Sequence, residues 1–553
     1  MSSLAVGLLQ AGLLVLALAV VHKPLGDHMA RAYTDERHWK VERGLYRVLR
    51  VDGDSGQRWP TYAAAVLAFS FVSIALLYLL QRMQTLLPLD FGRPPVEPAM
   101  AFNTAVSFAT NTNWQSYVPE QVLGHAVQLA GLAVQNFLSA AVGMAVAVAL
   151  VRGFTRSGDD RIGNFWVDLT RGVVRILLPL AAVSAVLLVA LGAVMTFAPA
   201  LQVVGLDGQP HAIATAPVAS QEAIKVLGTN GGGVLNANSA HPFSNPTGLS
   251  NLLEIFLLLL IPVSLTRTFG TMVGDRRQGL ALLSVMAGLF TAVLAVVWWA
   301  EAHPGGPAAI AAGGAMEGKE ARFGTYLSGL FATATTGTST GAVNAMHDSF
   351  SGLGGGVVLL NVLLGEVAPG GAGSGLYGLL VLAVLAVFLA GLMVGRTPEY
   401  LGKKLGRREI SAAALSILVM PTLVLLGAGV AIALPATPAA MANPGAHGLT
   451  EVLYAYGSAA NNNGSAFAGL TVTGDFFQVT LALAMLFGRL LPILAVLLLA
   501  GSLARQQRVP AGSGTLPTTG PLFAGLLAGT VVLVAALTFL PALALGPIAE
   551  ALA

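Results

Sequence analysis

The chain has 553 residues, of which 55% are hydrophobic and only 10% charged. No water-exposed fold of this size needs so much apolar surface, so the composition excludes a soluble enzyme and requires a polytopic membrane protein. A net charge of +3 says little about partners, because the basic residues are concentrated in particular loops, and the lack of cysteine excludes disulfides, thiolate metal sites and cysteine nucleophiles.

In chain order, the first apolar stretch is Leu4 to Val21, which has no basic leader or convincing cleavage site and reads as a retained span, residues 1–22, rather than a signal peptide. Residues 23–59 follow, with eight Lys/Arg from Lys23 to Arg58; this loop is expected in the cytoplasm, which puts the N-terminus outside. Pro60 to Leu80 then returns outward, and His125 to Val151 comes back to Arg152, Arg156 and Arg161, making a unit over 60–156. The second unit, 172–270, runs out through Val174 to Phe197, crosses a loop free of Lys and Arg up to Ile224, and returns through Leu249 to Leu265. The third, 278–396, exits through Leu280 to Trp299 and re-enters after a Pro/Gly/Ala-rich loop. The fourth, 409–504, uses Ile410 to Leu434 and Phe476 to Leu503, and 520–553 supplies a last span, Leu522 to Leu540.

Inside each unit a short apolar segment is followed by a run of Thr, Asn, Ser and Gly. The runs are Thr110, Asn111, Thr112, Asn113; Gly228 to Gly233, with Thr229, Asn230 and Gly231; Thr336 to Gly341, with Ser339 and Thr340; and Asn461 to Ser465, with Asn462, Asn463 and Gly464. They recur roughly every 110 to 125 residues, a spacing that signals internal repetition. The preceding segments, at about 11 residues, would be about 17 Å long as helices and cannot cross an apolar core of about 30 Å. They are predicted to be re-entrant pore helices whose negative C-terminal ends face a cation.

Carbonyls from successive residues line one axis only when the backbone alternates between right- and left-handed conformations. Glycine does this without a Cβ penalty, which places Gly231, Gly341 and Gly464; Asn113 stands at the equivalent place in the first run, and asparagine is the next most tolerant residue. Small residues also let membrane helices pack closely, so one run alone carries little weight. Four in the same orientation point to a carbonyl-lined cation filter. The predicted fold is all-α, with about ten transmembrane helices and four span-pore-span repeats around one pseudo-fourfold pore.

Gly354 to Gly395 is too long for one helix: about 42 residues would extend about 63 Å. Two full spans would leave Arg396, Lys403, Lys404, Arg407 and Arg408 outside, so one crossing broken at Pro369 to Gly375 is predicted, with Gly370, Gly371 and Gly373 in the break. The loop is expected just below the filter. Glu366 lies at that depth, where an unpaired charge costs at least about 2.5 kcal/mol, and is read as lining the pathway or pairing with a base. Arg489 is read the same way, with capping of a helix carbonyl as the plainer role. Gln115 either coordinates an ion or holds the first run by hydrogen bonds. Glu222, Lys225 and Glu451 read as mutual bracing of pore helices, and His241 and His347 as structural. No nucleotide-binding GxxxxGK[ST] and no DKTGT phosphorylation motif occurs, so energy for active transport must come from another chain or a second ion.

The motifs TNTNWQSY from Thr110, TNGGG from Thr229, NANSAHPF from Asn236, AVNAMHDSF from Ala342, GSGLYG from Gly373, GRTPEYLGKK from Gly395, NNNGSAFAGL from Asn461 and SGTLPTTGPLF from Ser513 make the chain resemble the potassium-binding A subunits of the bacterial Kdp potassium-transporting ATPases, within the superfamily of K⁺ transporters. The resemblance runs essentially end to end. It implies an inner-membrane subunit without catalytic activity that binds K⁺ from outside, in complex with a P-type ATPase B subunit, a single-span C subunit and a small F peptide. It assigns Gln115, Gly231, Gly341 and Gly464 to selectivity, and Glu366 and Arg396 to a gating-loop region. It further implies that K⁺ leaves sideways into the ATPase subunit, with the broken helix closing the direct route. Apart from the resemblance, a channel-like or ion-coupled K⁺ transporter without an ATPase, or a structural subunit whose glycines only pack helices, would share much of this pattern. No nucleotide, nucleic acid or cofactor other than K⁺ is expected; the lipid bilayer is the remaining partner.

Overall fold

Each unit contributes an outer span, a short helix that stops partway, a polar loop and an inner span, and the computed structural model shows why that order recurs. It describes residues 3–305, 307–395, 398–510, 512 and 515–552. The first unit has α3 (Trp59–Arg82), the short α4 (Pro98–Ala109) and α5 (Val127–Thr155), after α1 (Ser3–Thr34) and α2 (Lys40–Leu49). The second has α6 (Phe165–Ala190), the short α7 (Val218–Leu227) and α8 (Gly248–Met272). In the third, α9 (Arg276–Ala302) and the short α10 (Gly324–Gly337) precede a divided crossing, α11 (Gly352–Leu363) and α12 (Ser374–Val394). The fourth comprises α13 (Arg407–Ala433), α14 (Gly445–Asn461) and α15 (Asp475–Arg505), followed by α16 (Pro521–Leu545) and α17 (Pro547–Leu552).

Ten of these helices are long and apolar enough to cross a membrane. They sort into two shells. Of the most apolar stretch of each inner span, 83% of α5, 67% of α8, 61% of α12 and 56% of α15 is buried, against 33% of α3 and α6, 39% of α9 and 28% of α13. The second span of every unit therefore lies inside and the first faces outward. The circle closes where α15 packs on both α4 and α5 of the first unit.

Several boundaries differ from the sequence reading. The first helix continues past Val21 to Thr34, and the following basic stretch holds α2, so much of 23–59 is helical rather than loop. Leu25, Met29, Ala32 and Tyr33 are buried against the main core, and that packing extends the helix beyond its apolar run. An antiparallel hairpin of β1 (Ala200–Val204) and β2 (Pro210–Ala214) occupies the Lys/Arg-free loop of the second unit. The fourth pore helix has 17 residues rather than about 11, starting directly after Pro444 and running through Asn461. The break in the third unit runs from Leu364 to Gly373, five residues earlier than Pro369, and Ser374 and Gly375 already belong to α12.

Candidate functional site: four loops closed into a ring

The four polar loops share one backbone conformation. Asn111 and Asn113, Thr229 and Gly231, Ser339 and Gly341, and Asn462 and Gly464 all have positive φ, between 49° and 107°. The residue between each pair returns to ordinary φ and donates its N–H to the carbonyl five residues earlier. These bonds are Thr112 to Ser107 at 3.0 Å, Asn230 to Lys225 at 2.8 Å, Thr340 to Thr335 at 3.2 Å and Asn463 to Ser458 at 2.9 Å. Each loop is thus hooked onto the end of its own pore helix by the same bond. Alternation of handedness along three residues turns neighbouring carbonyls to one side, the arrangement a cation filter needs.

Contacts between loops are equally regular. A Cβ on Gly231 would overlap the carbonyl oxygen of Thr340; one on Gly341 would overlap that of Asn463; and one on Gly464 would overlap that of Thr112. Each of the three glycines lies against the next unit's middle carbonyl, and the order 2, 3, 4, 1 closes the ring. At the fourth corner Asn113 carries a side chain, and the neighbouring loop makes room with Gly232, where a Cβ would stand 2.7 Å from Asn113 O and 3.0 Å from its Cβ. Among the described residues, the carbonyls of Thr112, Asn230, Thr340 and Asn463 receive no hydrogen bond. These buried oxygens have no donor among the described residues, and carbonyls in that state can meet a water or a cation.

Side chains tie the ring rather than line it. Asn111 Nδ2 donates to Thr229 O at 2.7 Å, Asn462 Nδ2 to Thr112 Oγ1 at 2.8 Å, and Ser339 Oγ to Asn462 O at 3.1 Å. The Asn230 amide meets Asn111 Oδ1 at 2.7 Å, Asn463 Nδ2 reaches Thr335 O at 3.1 Å, and Thr110 Oγ1 bonds Thr112 Oγ1 at 2.9 Å. Gln115, for which the sequence left two roles open, accepts the Gly233 N–H at 2.9 Å and so holds the second loop. Sequence reasoning missed Asn238, which links loops two and three by donating to Gly231 O at 2.8 Å and accepting from Val343 N at 3.3 Å. Its position inside NANSAHPF was the available signal. Thr338, inside the third run but not singled out in it, bonds the Thr340 hydroxyl at 2.6 Å, matching the Thr110 and Thr112 pair of the first unit.

The glycine loop of the third unit packs directly against this ring. Gly370 N donates to Gly337 O at 2.7 Å, Ala372 N to Thr229 Oγ1 at 2.8 Å, and a Cβ on Gly371 would stand 3.0 Å from Ser339 Cβ. Gly373, at φ +94°, lies on the backbone of Gly143 in α5. Glu366 is buried in the same loop, beside Ser339 and Asn463, with Oε1 unpartnered among the described residues. It shares a cavity of about 140 Å³ with Arg489, Asn462, Tyr377, Pro492 and Phe539. Arg489 and Glu366 form no ion pair among the described residues; Arg396 lies outside the described residues.

The remaining polar candidates bond to side chains and backbone of neighbouring segments. Lys225 Nζ pairs with Glu222 at 2.7 Å and bonds Ser239 at 3.0 Å, all buried. His347 Nδ1 meets Tyr454 OH at 3.0 Å, and His241 Nδ1 accepts from Phe243 N at 3.0 Å. Glu451 does not pair with a base on its own helix but accepts from Asn443 at 2.9 Å.

Comparison with known proteins agrees with this architecture. The family model described as "Potassium-transporting ATPase A subunit" matches residues 12–552. Curated proteins named potassium-transporting ATPase potassium-binding subunit include one from Kineococcus radiotolerans, 63% identical with 100% of this chain and 99% of that protein covered, and one from Nocardia farcinica, 64% identical with the same coverage. One from Streptomyces coelicolor is 59% identical with both chains fully covered. Among solved structures, the potassium transporter TrkH from Vibrio parahaemolyticus superposes with a TM-score of 0.55 over 89% of this chain and 96% of its own, at 16% identity, a likeness of fold alone. With its four-unit ring and a family match along nearly its whole length, the chain belongs to the potassium-transporting ATPase A subunit family.

Proposed function

We propose that this chain is the K⁺-binding and K⁺-translocating, non-catalytic subunit of an ATP-driven uptake complex. It selects K⁺ on the outer side in the ring of Thr112, Asn230, Thr340 and Asn463 and passes it to a P-type ATPase partner that hydrolyses ATP. The observation that carries the reading is the fourfold recurrence of one backbone conformation whose middle carbonyls are buried and, among the described residues, receive no hydrogen bond. Carbonyls in that state replace an ion's hydration shell, and four pore-helix C-termini add their negative ends. The names of the relatives supply the ion and the coupling to an ATPase.

Within this reading, Gly231, Gly341 and Gly464 set the ring's diameter, Gln115 fixes the second loop, and Gly370, Gly371 and Gly373 form a gate beneath it. Glu366 and Arg489 line the pathway below, and the resemblance alone assigns Arg396 to the same gating function. The protein resides in the bacterial inner membrane with its N-terminus outside, a placement supported by the basic stretch 23–59. A B subunit, a single-span C subunit and a small F peptide complete the complex, and this chain binds no nucleotide.

The test is K⁺ uptake into vesicles holding either this chain alone or the chain with its ATPase partners. Uptake that needs both the partners and ATP is the expected result. Uptake by the chain alone at an undiminished rate would overturn the proposal in favour of a self-sufficient transporter.

A further inference from the structure

Away from the ring, three metal-ligating side chains from two separate segments meet beside the first turns of α14. His447 and Glu451 are four residues apart on that helix and so share a face. Asp348 comes from the segment just after the third loop. The ligating atoms of Asp348, His447 and Glu451 all lie within 4.8 Å of one another.

Three further observations separate this cluster from an incidental group of acids. Glu451 is 0% exposed; its Oε1 accepts from Asn443, while Oε2 has no partner among the described residues. A buried carboxylate oxygen without a protein donor requires a ligand, a proton or a water. Gly469 leaves the space open: a Cβ there would stand 2.5 Å from Glu451 Oε1 and 2.7 Å from Asp348 Oδ2. The imidazole is also oriented from behind. Its Nδ1 lies 2.9 Å from Glu550 Oε1 of α17, its Nε2 faces Asp348 Oδ1 at 3.2 Å, and Phe467 stacks on its ring with centroids 5.8 Å apart. Between two carboxylates and without an ion this ring keeps both protons; a bound ion would take the place of the Nε2 proton, while an Nδ1–H given to a carboxylate such as Glu550 is the usual support for a metal-bound imidazole.

We propose that Asp348, His447 and Glu451 form a divalent-cation site of the zinc class, with Glu550 orienting His447. One neutral imidazole and two carboxylates carry two negative charges, which a divalent ion neutralises. A nitrogen ligand favours zinc over magnesium or calcium. Donors at about 2.1 Å from a tetrahedral ion lie about 3.4 Å apart, so binding would draw the donors inward by at most about 1.4 Å. The ion would join the segment after loop three to the start of α14, and through Glu550 it would anchor α17. It would brace the ring from outside without carrying transported K⁺.

The test is Zn²⁺ titration of the purified transport complex by calorimetry, with excess Mg²⁺ as control, and anomalous scattering at the zinc edge. The expected results are one saturable site per chain, binding abolished in Asp348→Asn, and a ten- to hundredfold loss of affinity in Glu550→Gln. If Glu451→Gln fails to assemble, the anomalous peak decides using wild type alone: a peak among Asp348, His447 and Glu451 supports the site, and its absence there overturns it. Zn²⁺ binding unchanged in Asp348→Asn, or no saturable binding, would leave His447 as an imidazolium paired with Asp348 and Glu550 and would also overturn the proposal.

Discussion

The backbone N–H of Ala372 donates to the hydroxyl of Thr229 at 2.8 Å, so the glycine loop of the broken helix is bonded directly to the second loop of the ring. Both groups are buried. Through this bond the position of the loop and the shape of the ring are one structural variable.

Thr229→Val keeps the shape of the side chain and removes the acceptor. Leaving the Ala372 N–H unsatisfied costs about 1–3 kcal/mol. The expected outcome is a K⁺ concentration for half-maximal uptake raised about five- to hundredfold in an assembled complex, with Thr229→Ser close to wild type. Equal behaviour of the two variants in an uptake titration would mean that the bond does not couple loop to ring.

Gly341→Ala places a methyl group in the carbonyl of Asn463 and also forces a non-glycine residue to φ +76°. Strain of that kind costs of order 1–3 kcal/mol even before the overlap is counted. Discrimination of K⁺ over Na⁺ should fall more than tenfold. Gly429→Ala, where a Cβ meets nothing within 4 Å, should leave it unchanged, and the comparison is read from competition assays.

Asp168 accepts from Arg152 at 2.6 and 2.8 Å and from Tyr62 at 3.0 Å in a buried cluster joining α3, α5 and α6. Asp168→Ala strands the guanidinium and should destabilise the fold by about 3–5 kcal/mol, whereas Tyr62→Phe should cost only about 1 kcal/mol. Thermal stability of the detergent-solubilised protein distinguishes the two.

Burial and the nearby Arg508 bring the Lys403 ammonium, in the segment between α12 and α13, down from 10.5 to about 8. Between those values the unfolded chain holds the extra proton, so this group's contribution to stability rises with pH from about 8 to 10.5. Lys403→Met removes that rise. The stability of wild type relative to the variant should therefore increase between pH 7.5 and 9.5, a shift that melting curves at the two pH values measure.

What the sequence revealed depended on which residues had no alternative. Gly231, Gly341 and Gly464 were legible because a left-handed residue in an apolar setting is ordinarily glycine, and the broken crossing because a run of glycines cannot continue a helix. The second left-handed residue of each loop was not legible: Asn111, Thr229, Ser339 and Asn462 are held there by bonds to other units, which only the closed ring supplies. The same holds for the partners of Glu451, since His447 lies four residues before it on α14 but Asp348 is brought to the pair by a different segment, and for α1, whose last turns owe their helicity to packing rather than to hydrophobic pattern. The hairpin of the second unit was hidden because its strands are mostly exposed and show no clean alternation.

The central claim is that K⁺ is selected by carbonyls spaced by the ring's glycines. The most direct test is ATP-driven uptake by the assembled complex, comparing wild type with Gly231→Asp while K⁺, Rb⁺ and Na⁺ are titrated. The account predicts that the variant assembles, loses K⁺ affinity and no longer rejects Rb⁺ or Na⁺ as wild type does. An assembled variant with unchanged affinity and selectivity would contradict it and reduce the glycines to packing elements.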